Sequence, residues 1–117
     1  VLPELKGRLD GISIRVPTPD VSITDLVVEV ERPTTIADVN AAFRKAAESG
    51  PLAPYLAYTD EELVSSDYIG NARSCIIDGK TTNVIDGTLV KVAGWYDNEW
   101  GYASRCVDLL RYIGSRR

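Results

Sequence analysis

The stretch Asn83-Val84-Ile85-Asp86-Gly87-Thr88-Leu89-Val90-Lys91-Val92 constrains the fold of this chain more than any other. An Asp-Gly pair tolerates the positive φ that a two-residue hairpin turn requires, and here it stands between two β-prone runs. Strands joined by so short a turn must lie antiparallel. The sheet is therefore expected to be antiparallel or mixed.

Upstream, Gly11 to Val16 alternates, with Ile12, Ile14 and Val16 on one face and Ser13 and Arg15 on the other. That is the pattern of a half-buried strand. Pro17-Thr18-Pro19-Asp20 breaks it, because proline cannot donate to a ladder. A longer strand follows at Val21 to Glu31, with Leu26, Val28 and Val30 on one side and Glu29 and Glu31 on the other. Thr35-Ile36-Ala37-Asp38 opens a helix as a capping-box variant, and Ile36, Val39, Phe43 and Ala46 form its apolar stripe. Ser49-Gly50-Pro51 stops it. Pro51 to Asn71 is turn-rich, with room for a short strand near Val64, and Ser74 to Ile77 is β-prone. After the hairpin a strand runs out at Gly94 to Tyr96. A last helix opens at Asp97 or Asn98, carries Ala103, Cys106, Leu110 and Ile113 as its apolar stripe, and ends at Gly114. The expected fold is α+β: one domain over residues 1–117, a mixed, largely antiparallel sheet, and helices packed on one face.

Several function classes are excluded. A net charge of −4 with interspersed signs does not offer the clustered cations that nucleic acid requires. No apolar run approaches the roughly 20 residues needed to span a bilayer. Val1-Leu2-Pro3-Glu4-Leu5-Lys6 has no basic and apolar regions of a secretory signal, and the chain holds no Met. The two cysteines, Cys75 and Cys106, make neither a disulfide framework nor a zinc site, and read as reduced thiols of a cytoplasmic protein. No metal site is expected. There is no histidine, so a Cys–His or Ser–His nucleophile cannot be complete within these residues. No Gly-x-Gly-x-x-Gly follows a strand, so no dinucleotide-binding unit is present.

Among residues that could carry chemistry, Arg15 has the fork suited to phosphate or carboxylate, although spacing alone favours a solvated arginine on an outer strand face. Asn98 reads as a helix N-cap, or as an amide facing a ligand. Trp95, Tyr96, Trp100 and Tyr102 form an aromatic cluster suited to packing. Cys106, on the apolar stripe, reads as a small buried hydrophobe, and Cys75 similarly. Ser65-Ser66-Asp67 reads as turn chemistry and Asp60-Glu61-Glu62 as a solvated loop.

Taken in order, these signals resemble one family. Ile14-Arg15-Val16-Pro17-Thr18-Pro19, Val21-Ser22, Asp25-Leu26-Val27-Val28, Leu63-Val64-Ser65-Ser66-Asp67-Tyr68, Val90-Lys91-Val92, the octapeptide Trp95-Tyr96-Asp97-Asn98-Glu99-Trp100-Gly101-Tyr102, and Arg105-Cys106-Val107-Asp108-Leu109 resemble the C-terminal part of the catalytic domain of phosphorylating glyceraldehyde-3-phosphate dehydrogenases. The resemblance implies that Arg15 binds phosphate, that Asn98 holds the nicotinamide carboxamide, and that Tyr102 lies beside that ring. It implies NAD or NADP as cofactor, bound mainly by another domain. It implies a cysteine thioester on the way from glyceraldehyde 3-phosphate to 1,3-bisphosphoglycerate. The nucleophile, its histidine base, a second phosphate-binding loop and the cofactor domain are then expected upstream of Val1, so that no catalytic residue lies in this chain. These 117 residues alone should be inactive, with the N-terminal part of the enzyme as partner and a homotetramer as the parent assembly. Asp20, Asn71-Ala72-Arg73 and Cys75 depart from the common pattern. Ile77-Asp78-Gly79-Lys80-Thr81-Thr82 resembles erythrose-4-phosphate dehydrogenases about as well, although Tyr96 and Tyr102 favour the glyceraldehyde type. A non-catalytic interaction module of the same fold is the remaining alternative.

Overall fold

The structure, a computed structural model, describes residues 3–116. The hairpin forms, but with a three-residue connection in place of the two-residue turn: Ile85 pairs with Leu89, which leaves Asp86, Gly87 and Thr88 between the strands. Asp86 and Gly87 both take positive φ, 50° and 74°. With Thr88 they join strand β4 (Asn83–Ile85) to strand β5 (Leu89–Tyr96). The arm expected to stop at Val92 and the short run at Gly94 to Tyr96 are one continuous strand. β5 is the organising strand of the sheet. Along one side it pairs with β1 (Ser22–Glu29), antiparallel, from Ser22↔Tyr96 to Glu29↔Leu89. Along the other side it is shared by β4 and by β3 (Cys75–Asp78), both antiparallel. β2 (Leu56–Thr59) then adds to β3 in parallel, so the sheet is mixed and largely antiparallel.

Helix α1 (Ile36–Glu48) begins where the capping chemistry places it. Thr35 Oγ1 accepts from the Asp38 backbone N–H at 3.2 Å and donates to Asp38 Oδ2 at 2.7 Å. The helix ends at Ser49, followed by Gly50 at φ +91°. Its Val39, Phe43 and Ala46 look toward Leu26, Val28, Val90 and Val92 on one face of the sheet. Val90 and Val92 are buried on that face, and a second buried cluster lies on the opposite one. Tyr68, Ile76 and Val21 are joined there by Trp95, Ala57 and Leu63, and the Tyr68 and Trp95 rings stack at 5.4 Å. The Trp95 indole donates to Asp78 Oδ2 at 3.2 Å, which gives its N–H a partner.

Three local expectations are corrected. Gly11 to Val16 joins no ladder, and Ile12 is 89% and Ile14 80% exposed. Alternation marks two faces of a strand, but a strand also needs a neighbour, and none of the described strands reaches this one. Near Val64 there is no strand. The strand of that region is β2, and Val64 leads into a short 3-10 helix, Ser65–Tyr68, whose Asp67 carboxylate accepts from the Val64 N–H at 2.8 Å. Ser and Asp side chains compete locally for backbone groups and favour such turns over ladders. The last helix, α2 (Asn98–Gly114), carries its apolar stripe outward. Ala103, Cys106, Leu110 and Ile113 are all exposed, and Gly101, Ser104, Arg105 and Asp108 face the domain instead. Cys106 is thus not a buried hydrophobe. Among the described residues no helix is long and apolar enough to cross a membrane.

Candidate functional site

The candidate site forms where β5 turns into α2. Asp97, between the two, is 3% exposed. Its Oδ1 accepts from the backbone N–H of Glu99 at 3.1 Å and of Trp100 at 2.7 Å. Its Oδ2 accepts from the Gly70 N–H at 2.8 Å, across 27 residues of chain. The Trp100 N–H foremost, then the Gly70 N–H, hold this carboxyl below the usual carboxylate range. Asp97 is therefore the N-cap of α2, and Asn98 is its first helical residue. The reading of Asn98 as the cap is corrected. An aspartate caps as well as an asparagine, and here the carboxylate takes three N–H donors, more than one amide oxygen accommodates well.

The Asn98 side chain is exposed and has no hydrogen-bond partner among the described residues. Tyr102 lies four residues on, so it shares a helix face with Asn98, and it is 72% exposed. The aromatic cluster divides. Trp95 packs in the core, while Trp100 and Tyr102 stand in solvent.

Arg15 lies in the exposed segment before the Pro17–Asp20 turn, and no hydrogen bond or ion pair joins it to Asn98, to Tyr102 or to any other described residue. The turn after it does meet the helix start. Asp20 Oδ1 accepts from the Val21 N–H at 2.7 Å, and Val21 adopts φ +70°, a strained conformation for a β-branched residue. Ser22 then pairs with Tyr96. In this arrangement carboxyl oxygens of Asp20, Asp97 and Glu99 all lie within 4.8 Å of one another. Hydrogen bonding with Asp20 foremost, then burial and Asp20's charge, push the Glu99 carboxyl up. Among the described residues this trio is the acidic group with spacing for a single cation. Both Asp97 oxygens, however, already accept backbone N–H groups.

Two supports of the site were not singled out as functional from the sequence. Arg105 donates to Asp108 at 2.9 Å, to the Ala72 carbonyl at 3.1 Å and to Ser74 Oγ at 2.9 Å, while its guanidinium covers the Tyr55 ring at 4.6 Å. It ties α2 to the segment that follows Gly70. Gly101 lets the helix come close, because a Cβ there would stand 3.2 Å from the Arg73 carbonyl oxygen. The signal available for Asp97 was the N-cap preference of Asp. Nothing in local spacing points to Arg105. Cys75 is half-buried and burial pushes its thiol pKa up, the opposite of an activated nucleophile. Asp60, read as solvated, accepts from Tyr58 at 2.6 Å and from Arg44 at 2.7 Å on the exposed α1 side.

The described residues thus form an α+β domain with an exposed amide and an exposed tyrosine at the start of α2. Residues 1–98 match the family described as "Glyceraldehyde 3-phosphate dehydrogenase, C-terminal domain". The chain is 58% identical over 116 residues to glyceraldehyde-3-phosphate dehydrogenase 2 of Streptomyces avermitilis, covering 99% of this chain and 34% of that protein. It is 57% identical over 116 residues to glyceraldehyde-3-phosphate dehydrogenase of Geobacillus stearothermophilus, with the same coverage. To that of Ogataea parapolymorpha it is 52% identical over 113 residues, 97% of this chain and 33% of the other. The chain belongs to the glyceraldehyde-3-phosphate dehydrogenase C-terminal domain family. It spans about a third of the length of these relatives.

Proposed function

We propose that this chain is the C-terminal portion of the catalytic domain of a phosphorylating, NAD(P)-dependent glyceraldehyde-3-phosphate dehydrogenase, an oxidoreductase of glycolysis. Asn98 holds the nicotinamide carboxamide, Tyr102 flanks the ring, and Arg15 binds phosphate. The observation that carries this reading is the Asn98 amide, left free by Asp97 at an exposed helix start, with Tyr102 one turn away. Such an amide can donate to and accept from a carboxamide, and so select the ring face turned to the substrate. The cofactor, when bound, supplies the hydride acceptor. Arg15 can orient an anion by a bidentate contact.

The chain has no histidine, so in this reading the nucleophile's base comes from residues beyond these 117. Two features support a larger enzyme body as partner. An open apolar groove of about 1030 Å³ lies between α1 and the sheet, lined by Leu26, Val28, Phe43, Leu56, Val90 and Val92. The outer flank of α2 also exposes Val107, Leu109, Leu110 and Ile113. The parent is proposed as a cytoplasmic homotetramer, and these residues alone as inactive.

The test is steady-state kinetics on the full-length enzyme carrying this segment. Asn98→Ala raises KM for the nicotinamide cofactor and lowers kcat, while Arg15→Ala raises KM for inorganic phosphate or for the aldehyde substrate. Wild-type constants for both variants refute the assignment, and a higher kcat/KM for erythrose 4-phosphate than for glyceraldehyde 3-phosphate transfers it to the erythrose enzyme.

A further inference from the structure

We propose that Asp97 is the positioning residue that presents Asn98 to the cofactor: it takes the helix cap so that Asn98 need not, and it fixes the helix start against the Gly70 turn. This inference rests on the reading of Asn98 given above.

An asparagine at the opening of a helix has a default use, which is to cap it. A cap residue spends its side-chain oxygen on the backbone N–H two or three positions on. Asn98 in that role would turn its oxygen back onto the helix backbone and away from a carboxamide. Asp97 removes the conflict. It caps through Oδ1, to Glu99 and Trp100. The helix therefore starts one residue earlier than an Asn98 cap would place it. Asn98 becomes the first helical residue, with fixed backbone and a free amide.

The second oxygen of Asp97 does something a cap alone does not. It accepts from Gly70, which sits in a turn at φ +79° beyond the core tyrosine Tyr68. The helix start is thereby tied to a distant part of the domain, and the direction in which Asn98 projects is set by the domain and not by the helix alone. Arg105 and Gly101 hold the next turn of α2 to the same segment, at Ala72, Arg73 and Ser74. Asp97 itself is buried, so it acts through its neighbour.

The experiment uses the full-length enzyme with Asp97→Ala, Asp97→Asn, Asn98→Ala and the double variant Asp97→Ala/Asn98→Ala. Dissociation constants are measured for NAD and for its 3-acetylpyridine analogue, which keeps the carbonyl but lacks the carboxamide N–H donors. The readout is the ratio of the two constants. If Asn98 reads the carboxamide, Asn98→Ala lowers the preference for NAD by about five- to tenfold, the worth of one or two hydrogen bonds. Asp97→Ala is then expected to lower it by a similar factor, and the double variant by no more than Asn98→Ala alone. Asp97→Asn keeps a capping oxygen but turns an N–H₂ toward the Gly70 N–H. It is near-isosteric, and is expected to lose part of the preference while folding normally by circular dichroism. An unchanged ratio in both Asp97 variants, with both cofactors weakened equally, overturns the proposal and leaves Asp97 a structural cap. An unchanged ratio in Asn98→Ala overturns the reading of Asn98, and the inference with it.

Discussion

Gly94→Ala adds one methyl at the centre of the sheet that carries the site, and its effect can be worked from the packing. Gly94 is paired to Thr24 of β1 on one side and to Ile77 of β3 on the other. The backbone is held from both sides and cannot retreat from an added atom. A Cβ built there falls 2.5 Å from Cys75 Sγ and 3.8 Å from Ile77 Cδ1. The second is an ordinary contact. The first is short by roughly 1 Å or more, since carbon and heavier atoms come to rest near 3.5–4.0 Å. Cys75 must leave its rotamer or β3 must shift. Overpacking of this kind costs about 1–3 kcal/mol. Alanine returns roughly 0.4–1 kcal/mol by restricting the unfolded chain. The net expectation is a loss of about 1–2 kcal/mol, which lowers a urea midpoint by roughly 0.5–1 M for a slope of about 2 kcal/mol/M.

The cause is identified by a double-mutant cycle followed by tryptophan fluorescence, to which Trp95, stacked on Tyr68, contributes. In a Cys75→Ala background the offending sulfur is gone, and Gly94→Ala should cost less than about 0.5 kcal/mol or stabilise. In a Cys106→Ala background the full cost should remain, because Cys106 is exposed on α2. An equal loss in the Cys75→Ala and wild-type backgrounds refutes the argument, since the sulfur would then not be what the methyl meets.

Two further outcomes follow from the site. The folded-state pKa of Glu99 is raised above its ordinary value of 4.5, so its contribution to stability is present below that value and lost as pH rises through the folded value; Glu99→Gln should therefore raise the melting temperature at pH 7 and lose that advantage below about pH 4.5, and an equal difference at pH 4 and pH 7 would count against carboxyl repulsion. Asp97 runs the other way, its contribution present above its ordinary 3.8 and lost as pH falls through its lowered folded value, so its own loss falls below the pH 4 to pH 7 comparison. Arg105→Ala should cost about 1–3 kcal/mol in urea unfolding, because it frees the Ala72–Ser74 segment and uncovers Tyr55; Arg105→Lys should recover only part, lacking the fork, and a loss under about 0.5 kcal/mol for the alanine variant would show that the contacts are idle.

What could be read in the sequence is what local chemistry decides. Asp86-Gly87 accepts positive φ readily between strands, and Thr35 with Asp38 is a local cap, so the existence of the hairpin and of α1 was legible, though not the third loop residue, Thr88. Asn98 and Tyr102 share a helix face by spacing alone. Which residue caps was not legible, because Asp and Asn are nearly equal caps and the deciding partner, Gly70, lies 27 residues away. Arg105 was silent for the same reason, since its partners Tyr55, Ala72 and Ser74 are remote in sequence. Periodicity misled where it named a face without naming what covers it. Gly11 to Val16 alternates without a ladder. In α2 the apolar stripe points away from the domain, while Arg105 and Asp108 point into it. That inversion is informative in itself. A helix that holds its own domain through an arginine, a glycine and a capping aspartate, and keeps Leu109, Leu110 and Ile113 outward, is built to be covered on its second side. In the proposed enzyme that side meets the rest of the chain, and Asn98 and Tyr102 at the head of the same helix then stand at the edge of the junction, where a ligand held between the two parts could be reached.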